Sequence, residues 1–84
     1  MYKIVVRSRA RKQLKKLSPD IQQRIISKLD YYSQVETPLF FAERLTDFSL
    51  GQYRFRVGDY RIIFDVVEDA IVIHKVGHRR EIYK

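Results

Sequence analysis

Cysteine is absent from the 84 residues. Its absence removes disulfides, thiolate chemistry and cysteine-ligated zinc together, and it fits a reducing compartment. Glycine and proline are scarce, at three and two residues. No Gly/Ser tract, internal repeat or low-complexity stretch divides the chain, so a single domain over residues 1–84 is expected. Long apolar runs are missing as well. Those present, such as Ile62 to Phe64, fall far short of the ~20 residues that cross a bilayer, and the N-terminus lacks a signal-peptide apolar region. A soluble, cytoplasmic protein with no membrane partner is therefore expected. Acids are outnumbered, ten against seventeen Lys and Arg, for a net charge of +7, which suits a phosphate-rich or acidic partner. With 45% hydrophobic and 32% charged residues, the composition is that of a folded chain.

The periodicity changes once along the sequence. Tyr2 to Arg7 is rich in β-branched residues and reads as a strand. Between Ser8 and Leu17, Ala10, Leu14 and Leu17 recur at helical spacing. Ser18 then caps a second helix, with Pro19 at its first position and Asp20 in its first turn. The core stripe of that helix is Ile21, Ile25, Ile26, Leu29 and Tyr32. Thr37-Pro38 ends it and opens a connector carrying Phe40, Phe41, Leu45 and Phe48, with room for a further helical turn. Beyond Leu50 the period becomes two: Tyr53, Phe55 and Val57 alternate with Arg54 and Arg56, and Tyr60, Ile62, Phe64 and Val66 follow the same rhythm. Gly58-Asp59 and Glu68-Asp69 are turns between strands, the last running from Ala70 to Val76. The expected fold is α+β: an N-terminal strand, a helical hairpin packed on one sheet face, then a three-stranded antiparallel meander and a short C-terminal segment.

The charge is uneven. Residues 1–42 hold nine cations and three acids, against eight and seven in residues 43–84. Arg7, Arg9, Arg11, Lys12, Lys15 and Lys16 carry no acid between them. With Ala10, Leu14 and Leu17 facing inward they form one positive surface, suited to nucleic-acid phosphates rather than only a solvated face. In the second half, Arg54, Arg56 and Arg61 fall on the sheet face opposite Tyr53, Phe55, Ile62 and Phe64. Arg79 or Arg80 can join them. Such a group grips a phosphate by forked hydrogen bonds and stabilises phosphoryl-transfer charge. A carboxylate-rich peptide fits it equally, so these residues alone leave binding and catalysis open.

Tyr53-Arg54-Phe55-Arg56-Val57-Gly58-Asp59-Tyr60-Arg61-Ile62-Ile63-Phe64, followed by Val76-Gly77-His78-Arg79 and Glu81-Ile82-Tyr83, resembles the RelE toxins of the RelE/ParE superfamily. The order of elements matches that family over essentially the whole chain. The resemblance implies a small toxin with a cognate acidic antitoxin. RelE types enter the ribosomal A site and cut mRNA, whereas ParE types poison DNA gyrase. It also implies a catalytic set of Arg54, Arg56, Arg61, Arg79 and Tyr83. The well-studied RelE pattern has lysines at the first two of these positions, and arginine effectively cannot lose a proton.

Cleavage would need the 2′-hydroxyl deprotonated, the phosphorane stabilised and the 5′-oxygen protonated. Arg61 and Arg79 suit charge stabilisation, Arg54 and Arg56 phosphate positioning, and Tyr83 proton transfer. A phenol's reference pKa of ~10 leaves little phenolate at neutral pH, so unassisted chemistry would be slow. His78 and Glu81 stand behind Tyr83, each with a plainer reading as turn histidine and salt-bridge partner. His74 alternates with Val72 and Val76 and is expected to face the core. Tyr31, Tyr32, Phe40 and Phe41 are read as core filling rather than base-stacking platforms. His74 and His78 lack companions at ligand spacing, so no metal or other cofactor is expected. A ribosome-dependent mRNA endonuclease, with ribosome and mRNA as partners, accounts for the basic helix, the arginines and Tyr83 together. A gyrase poison and a non-catalytic nucleic-acid or acidic-peptide binder are the alternatives.

Overall fold

The β-branched run near the N-terminus forms strand β1 (Lys3–Val6), and Arg7 is the N-cap of helix α1 (Ser8–Lys15). A computed structural model describes residues 1–47 and 49–83, so the expected connector residue Phe48 lies outside the described residues. Helix α1 is shorter than its apolar spacing predicts. The amides of Lys16 and Leu17 bond three residues back, to Gln13 and Leu14 carbonyls, a tightened last turn that releases the chain toward Ser18 and Pro19. Helix α2 (Pro19–Gln34) follows, then a 3-10 turn (Pro38–Phe41), which supplies the helical turn expected in the connector. Strands β2 (Glu43–Arg44), β3 (Tyr53–Val57), β4 (Tyr60–Val67) and β5 (Ala70–His78) complete the chain.

The five strands form one sheet in the order β1-β5-β4-β3-β2. The meander β3-β4-β5 is antiparallel, and β1 extends it by pairing parallel to β5. One face carries the main core. Ala10 and Leu14 of α1, and Ile25, Leu29 and Tyr32 of α2, pack there against Phe55, Ile62, Phe64, Ile71, Ile73 and Val76. Tyr32 stacks on Phe55 and Phe55 on Phe64, each pair with ring centroids 4.2 Å apart. The second face has a small core of its own, in which Leu45, Ile63 and Ile82 are buried beside Leu50.

Four sequence expectations are corrected. Ile26 is exposed rather than part of the α2 stripe; Ile25, Leu29 and Tyr32 already fill the inward arc, and Ile26 is turned about 100° from Ile25. Tyr31, Phe40 and Phe41 are exposed too, so of the four connector and helix aromatics only Tyr32 is buried core. His74 does not face the main core, because a bulge breaks the alternation: Ile63 pairs with Lys75 but Phe64 pairs with Ile73, leaving His74 as the extra residue. Its Nε2 instead lies 2.9 Å from Asp65 Oδ2. The last strand runs to His78, two residues beyond the expected Val76. No helix among the described residues is long and apolar enough to cross a membrane.

Strands of unequal length leave outward amides without a ladder partner, and side chains serve them. Strand β1 stops at Val6 while β5 continues, and Gln13 Oε1 accepts the Val76 N–H at 2.8 Å. At the other end, β4 outruns β3, and Gln52 Oε1 accepts the Val66 N–H at 3.0 Å. Gln13→Ala orphans the Val76 amide beneath α1 and should cost about 1–3 kcal/mol. Denaturant unfolding checks this as a lower midpoint at unchanged slope. Lys12→Ala, on the exposed side of the same helix, should move stability by less than about 0.5 kcal/mol.

Candidate functional site

Residues Arg54, Arg56 and Arg61 share the sheet face away from the helices because Phe55 and Ile62 between them face the main core. The register sets Arg56 directly opposite Arg61, and Arg54 opposite Ile63. A directly opposed pair of cations weakens a sheet, so this arrangement needs compensation. Strand β2 supplies it. Glu43 pairs with Arg54 in register, its Oε2 accepts from Arg54 Nη2 at 3.1 Å, and its Oε1 lies 3.7 Å from Arg56 Nε. The Arg54 hydrogen bond, with the added field of Arg54, Arg56 and Arg61, holds the Glu43 carboxyl below the usual carboxylate range. Arg54 is shifted upward by its bonds to Glu43 and Tyr83.

The C-terminal segment reaches the cluster through Ile82. Backbone bonds from Glu81 and Ile82 to the His78 carbonyl curl the chain after β5, and Ile82 sinks into the second core against Ile63 and Leu45. Gly77 makes room for it, since a Cβ there would stand 3.2 Å from Ile82 Cδ1. Tyr83 is thereby carried back over β3. Its hydroxyl oxygen accepts a hydrogen bond from Arg54 Nη1, and its ring lies 5.8 Å from the Arg54 guanidinium carbon. The phenol's own proton remains available to donate.

The structure brings Arg54, Arg56, Arg61 and Tyr83 to one face but gives the arginines different settings. Arg56 is the open one, with 62% of its side chain exposed. Arg61 is buried and donates Nη1 to the Gly58 and Tyr60 carbonyls at 3.0 Å each, which ties it to the β3-β4 turn. Burial, then Arg56 and Arg54, lower its affinity for its proton. Arg79 stands at that same turn, its Nε 3.7 Å from Asp59 Oδ1 and its amide bonded to the Asp59 carbonyl, and its charge is among those felt by Arg61. His78 Nδ1 accepts the Arg80 amide at 3.1 Å, and its ring stands edge-on to Tyr60. On α1, all of Arg7, Arg9, Arg11, Lys12, Lys15 and Lys16 are exposed. Among the described residues, no three His, Asp or Glu side chains are grouped as metal ligands.

Glu43 is the residue the sequence reading missed. It belongs to a two-residue strand whose only sequence signal is its place after the Phe40-Phe41 turn. Two polar atoms of the pair, Glu43 Oε1 and Arg54 Nε, are buried without a hydrogen-bond partner. Chemically the cluster is an anion seat with an internal carboxylate and an adjacent phenolic donor. Since the folded Glu43 pKa lies below its unfolded value, its stabilisation is full above about pH 4.3 and fades as pH falls through the lower folded value. Glu43→Gln should lower the melting temperature slightly at pH 7, within the worth of an exposed pair, about 1 kcal/mol or less. The difference from the parent should narrow as pH falls below about 4.3 and close once pH is below the lowered folded value in a melting series, and a pH-independent difference would contradict the ion-pair account.

The sequence profile described as ParE toxin of type II toxin-antitoxin system, parDE, matches residues 4–83. No curated protein matches the chain. Similar solved structures include three at 26% identity each. The toxin-antitoxin complex RelBE2 from Mycobacterium tuberculosis aligns with a TM-score of 0.76, over 93% of this chain and 98% of that one. The RelB-RelE antitoxin-toxin complex from Methanococcus jannaschii aligns at 0.75, over 94% of each chain. The archaeal RelE-RelB complex from Pyrococcus horikoshii OT3 aligns at 0.71, over 95% and 97%. With the profile covering nearly every residue, the chain belongs to the ParE toxin family of type II toxin-antitoxin systems, within the RelE/ParE superfamily.

Proposed function

We propose that this toxin is a ribosome-dependent mRNA endonuclease of the RelE kind. The observation that carries the reading is the Tyr83 hydroxyl held on Arg54, on the same sheet face as Arg56 and Arg61. A gyrase poison has no need of a phenolic donor set against a phosphate seat. In the proposed reaction the 2′-oxygen attacks the adjacent phosphorus, the bond to the 5′-oxygen breaks, and a 2′,3′-cyclic phosphate and a 5′-hydroxyl are formed. Arg54 and Arg56 hold the phosphate oxygens, and Arg61 adds fixed positive charge behind the developing phosphorane. Tyr83, already accepting from Arg54, donates its proton to the departing 5′-oxygen. No lysine stands at positions 54 and 56 to take the 2′-proton, which passes to solvent water or to a group of the ribosome, so cleavage away from the ribosome is slow, and the ribosome contributes by ordering the mRNA and supplying that acceptor.

The exposed cations of α1 supply the ribosome contact, through phosphates. Arg79, beside Asp59 at the β3-β4 turn and near enough for its charge to be felt at Arg61, adds positive charge for the developing phosphorane. The partner in the cell is a small acidic antitoxin that folds on binding and covers the arginine face. The three similar structures described above are complexes of toxin with antitoxin, which supports this pairing.

Mapping mRNA 5′ ends after induction without antitoxin tests the reading. Cuts confined to translated transcripts are expected, whereas intact transcripts with broken chromosomal DNA would move the toxin to the gyrase branch. On programmed ribosomes at saturation, Tyr83→Phe and Arg56→Ala should each slow single-turnover cleavage by roughly 100-fold, the first by removing the acid and the second a phosphate donor. Reversing Arg11, Lys12, Lys15 and Lys16 to glutamate should instead weaken ribosome binding steeply and spare the rate at saturation. Full activity in Tyr83→Phe would exclude the phenol as the acid.

A further inference from the structure

Helix α2 and the 3-10 turn expose three aromatic rings that the sequence suggested would be buried. Phe40 is 83% exposed, Tyr31 53% and Phe41 42%. They form one patch: Phe41 meets both Tyr31 and Phe40 edge-on, at 5.8 and 5.5 Å between centroids. The patch is also anchored. Phe41 stacks on buried Tyr32 at 5.2 Å, Tyr32 stacks on Phe55, and buried Pro38 opens the turn. Phe40 is thus displayed from a fixed base rather than left on a loose loop.

A groove runs from this patch between α2 and the end of β3. Lys28 and Arg24 line its helix side and Arg56 its strand side, with Asp20 as the one acid among its lining residues. Arg24 spans the groove: a Cβ at Gly58 would lie 2.9 Å from its Nη2. Strand β2 pairs only with Tyr53 and Arg54, so nothing in the sheet covers β3 at Arg56. That side chain therefore belongs both to the arginine cluster and to the groove. The surface is continuous from the phosphate seat, past Arg56 and Lys28, to the aromatic patch.

We propose that this groove and patch bind the single-stranded RNA flanking the scissile phosphate, with phosphates on Arg56, Lys28 and Arg24 and bases stacked on Phe40 and Tyr31. The inference rests on the endonuclease reading, which places an RNA phosphate at the cluster and so requires the strand to leave past Arg56 or its opposite side. Cations beside fixed, exposed ring faces are the chemistry of single-strand recognition, in which stacking is tolerant of sequence and the charges follow the backbone. An antitoxin segment is the competing occupant. It would use the rings as apolar anchors and set carboxylates on the cations, and the binding test below separates the two occupants.

The test is fluorescence anisotropy of the full chain with an eight-nucleotide 2′-O-methyl RNA, which cannot be cleaved, over a range of salt. Phe40→Ala and Tyr31→Ala should each weaken binding by about 10-fold at an unchanged salt slope. Tyr31→Phe should bind as the parent does. Lys28→Gln should make the salt slope shallower by about 0.7. Phe40 is exposed, so its variant should melt with the parent, which keeps loss of binding distinct from loss of fold. Equal affinity of the parent and Phe40→Ala would overturn the proposal, as would a parent that fails to bind at low salt. So would a Phe40→Ala variant that keeps its RNA affinity and loses only its hold on the co-expressed antitoxin. No ribosome and no cleavage enter the measurement. Failure of the endonuclease reading therefore appears in the transcript map, and failure of this inference in the anisotropy.

Discussion

The stack of Tyr32 on Phe55 and Phe55 on Phe64 ties α2 to the middle of the sheet, and much else follows from it. A chain of 84 residues with no cysteine has only its core to hold it. Aromatic pairs of this kind add about 0.5–1.5 kcal/mol beyond the area they bury. Fixing Phe55 and Phe64 toward the helices also fixes the parity of β3 and β4. Arg54, Arg56 and Arg61 are then committed to the other face, because a strand has only two sides. The same stack continues outward through Phe41. One packing decision thus sets both the arginine face and the exposed aromatic patch.

Gathering cations on a sheet works against stability, and the structure answers with local devices rather than by spreading the charge. Arg56 and Arg61 face each other across the ladder. Arg61 is relieved by two backbone carbonyls of the β3-β4 turn, and Arg54 and Arg56 by Glu43. A second small core built on Ile63 and Ile82 then brings the C-terminal turn onto this face. Tyr83 reaches Arg54 only because Ile82 is buried one residue before it. A hydroxyl is positioned here by an apolar neighbour, and Arg54, which it meets, is held by the edge strand.

The sequence made legible whatever depends on period. Helix spacing located α1 and α2, alternation located β3 and β4 and assigned Phe55 and Arg56 to opposite faces, and the arginine motif carried the family. Two kinds of feature escaped it. A two-residue strand such as Glu43–Arg44 has no period at all, and its importance arises from register with Arg54, which only the folded sheet reveals. Bulges and exposed aromatics break the rules that sequence reading relies on. His74 sits where alternation predicts a core residue, yet the extra residue turns it to Asp65. Phe40 and Tyr31 have core chemistry without core positions, and such departures from local consistency tend to mark function. Arg61 lies on the face that alternation assigns it, and its burial depends on carbonyl partners in the β3-β4 turn, which period does not place.

In the proposed reaction the arginine face and Tyr83 turn the 2′-hydroxyl of bound mRNA against its own phosphate. The most direct measurement is mass spectrometry of the ends left on a defined mRNA cut by the purified toxin in a programmed ribosome. The account predicts a 5′-hydroxyl on one fragment and a 2′,3′-cyclic phosphate, or the 3′-phosphate formed by its hydrolysis, on the other. Fragments ending in 5′-phosphate and 3′-hydroxyl, which require water rather than the 2′-oxygen as the attacking group, would contradict it.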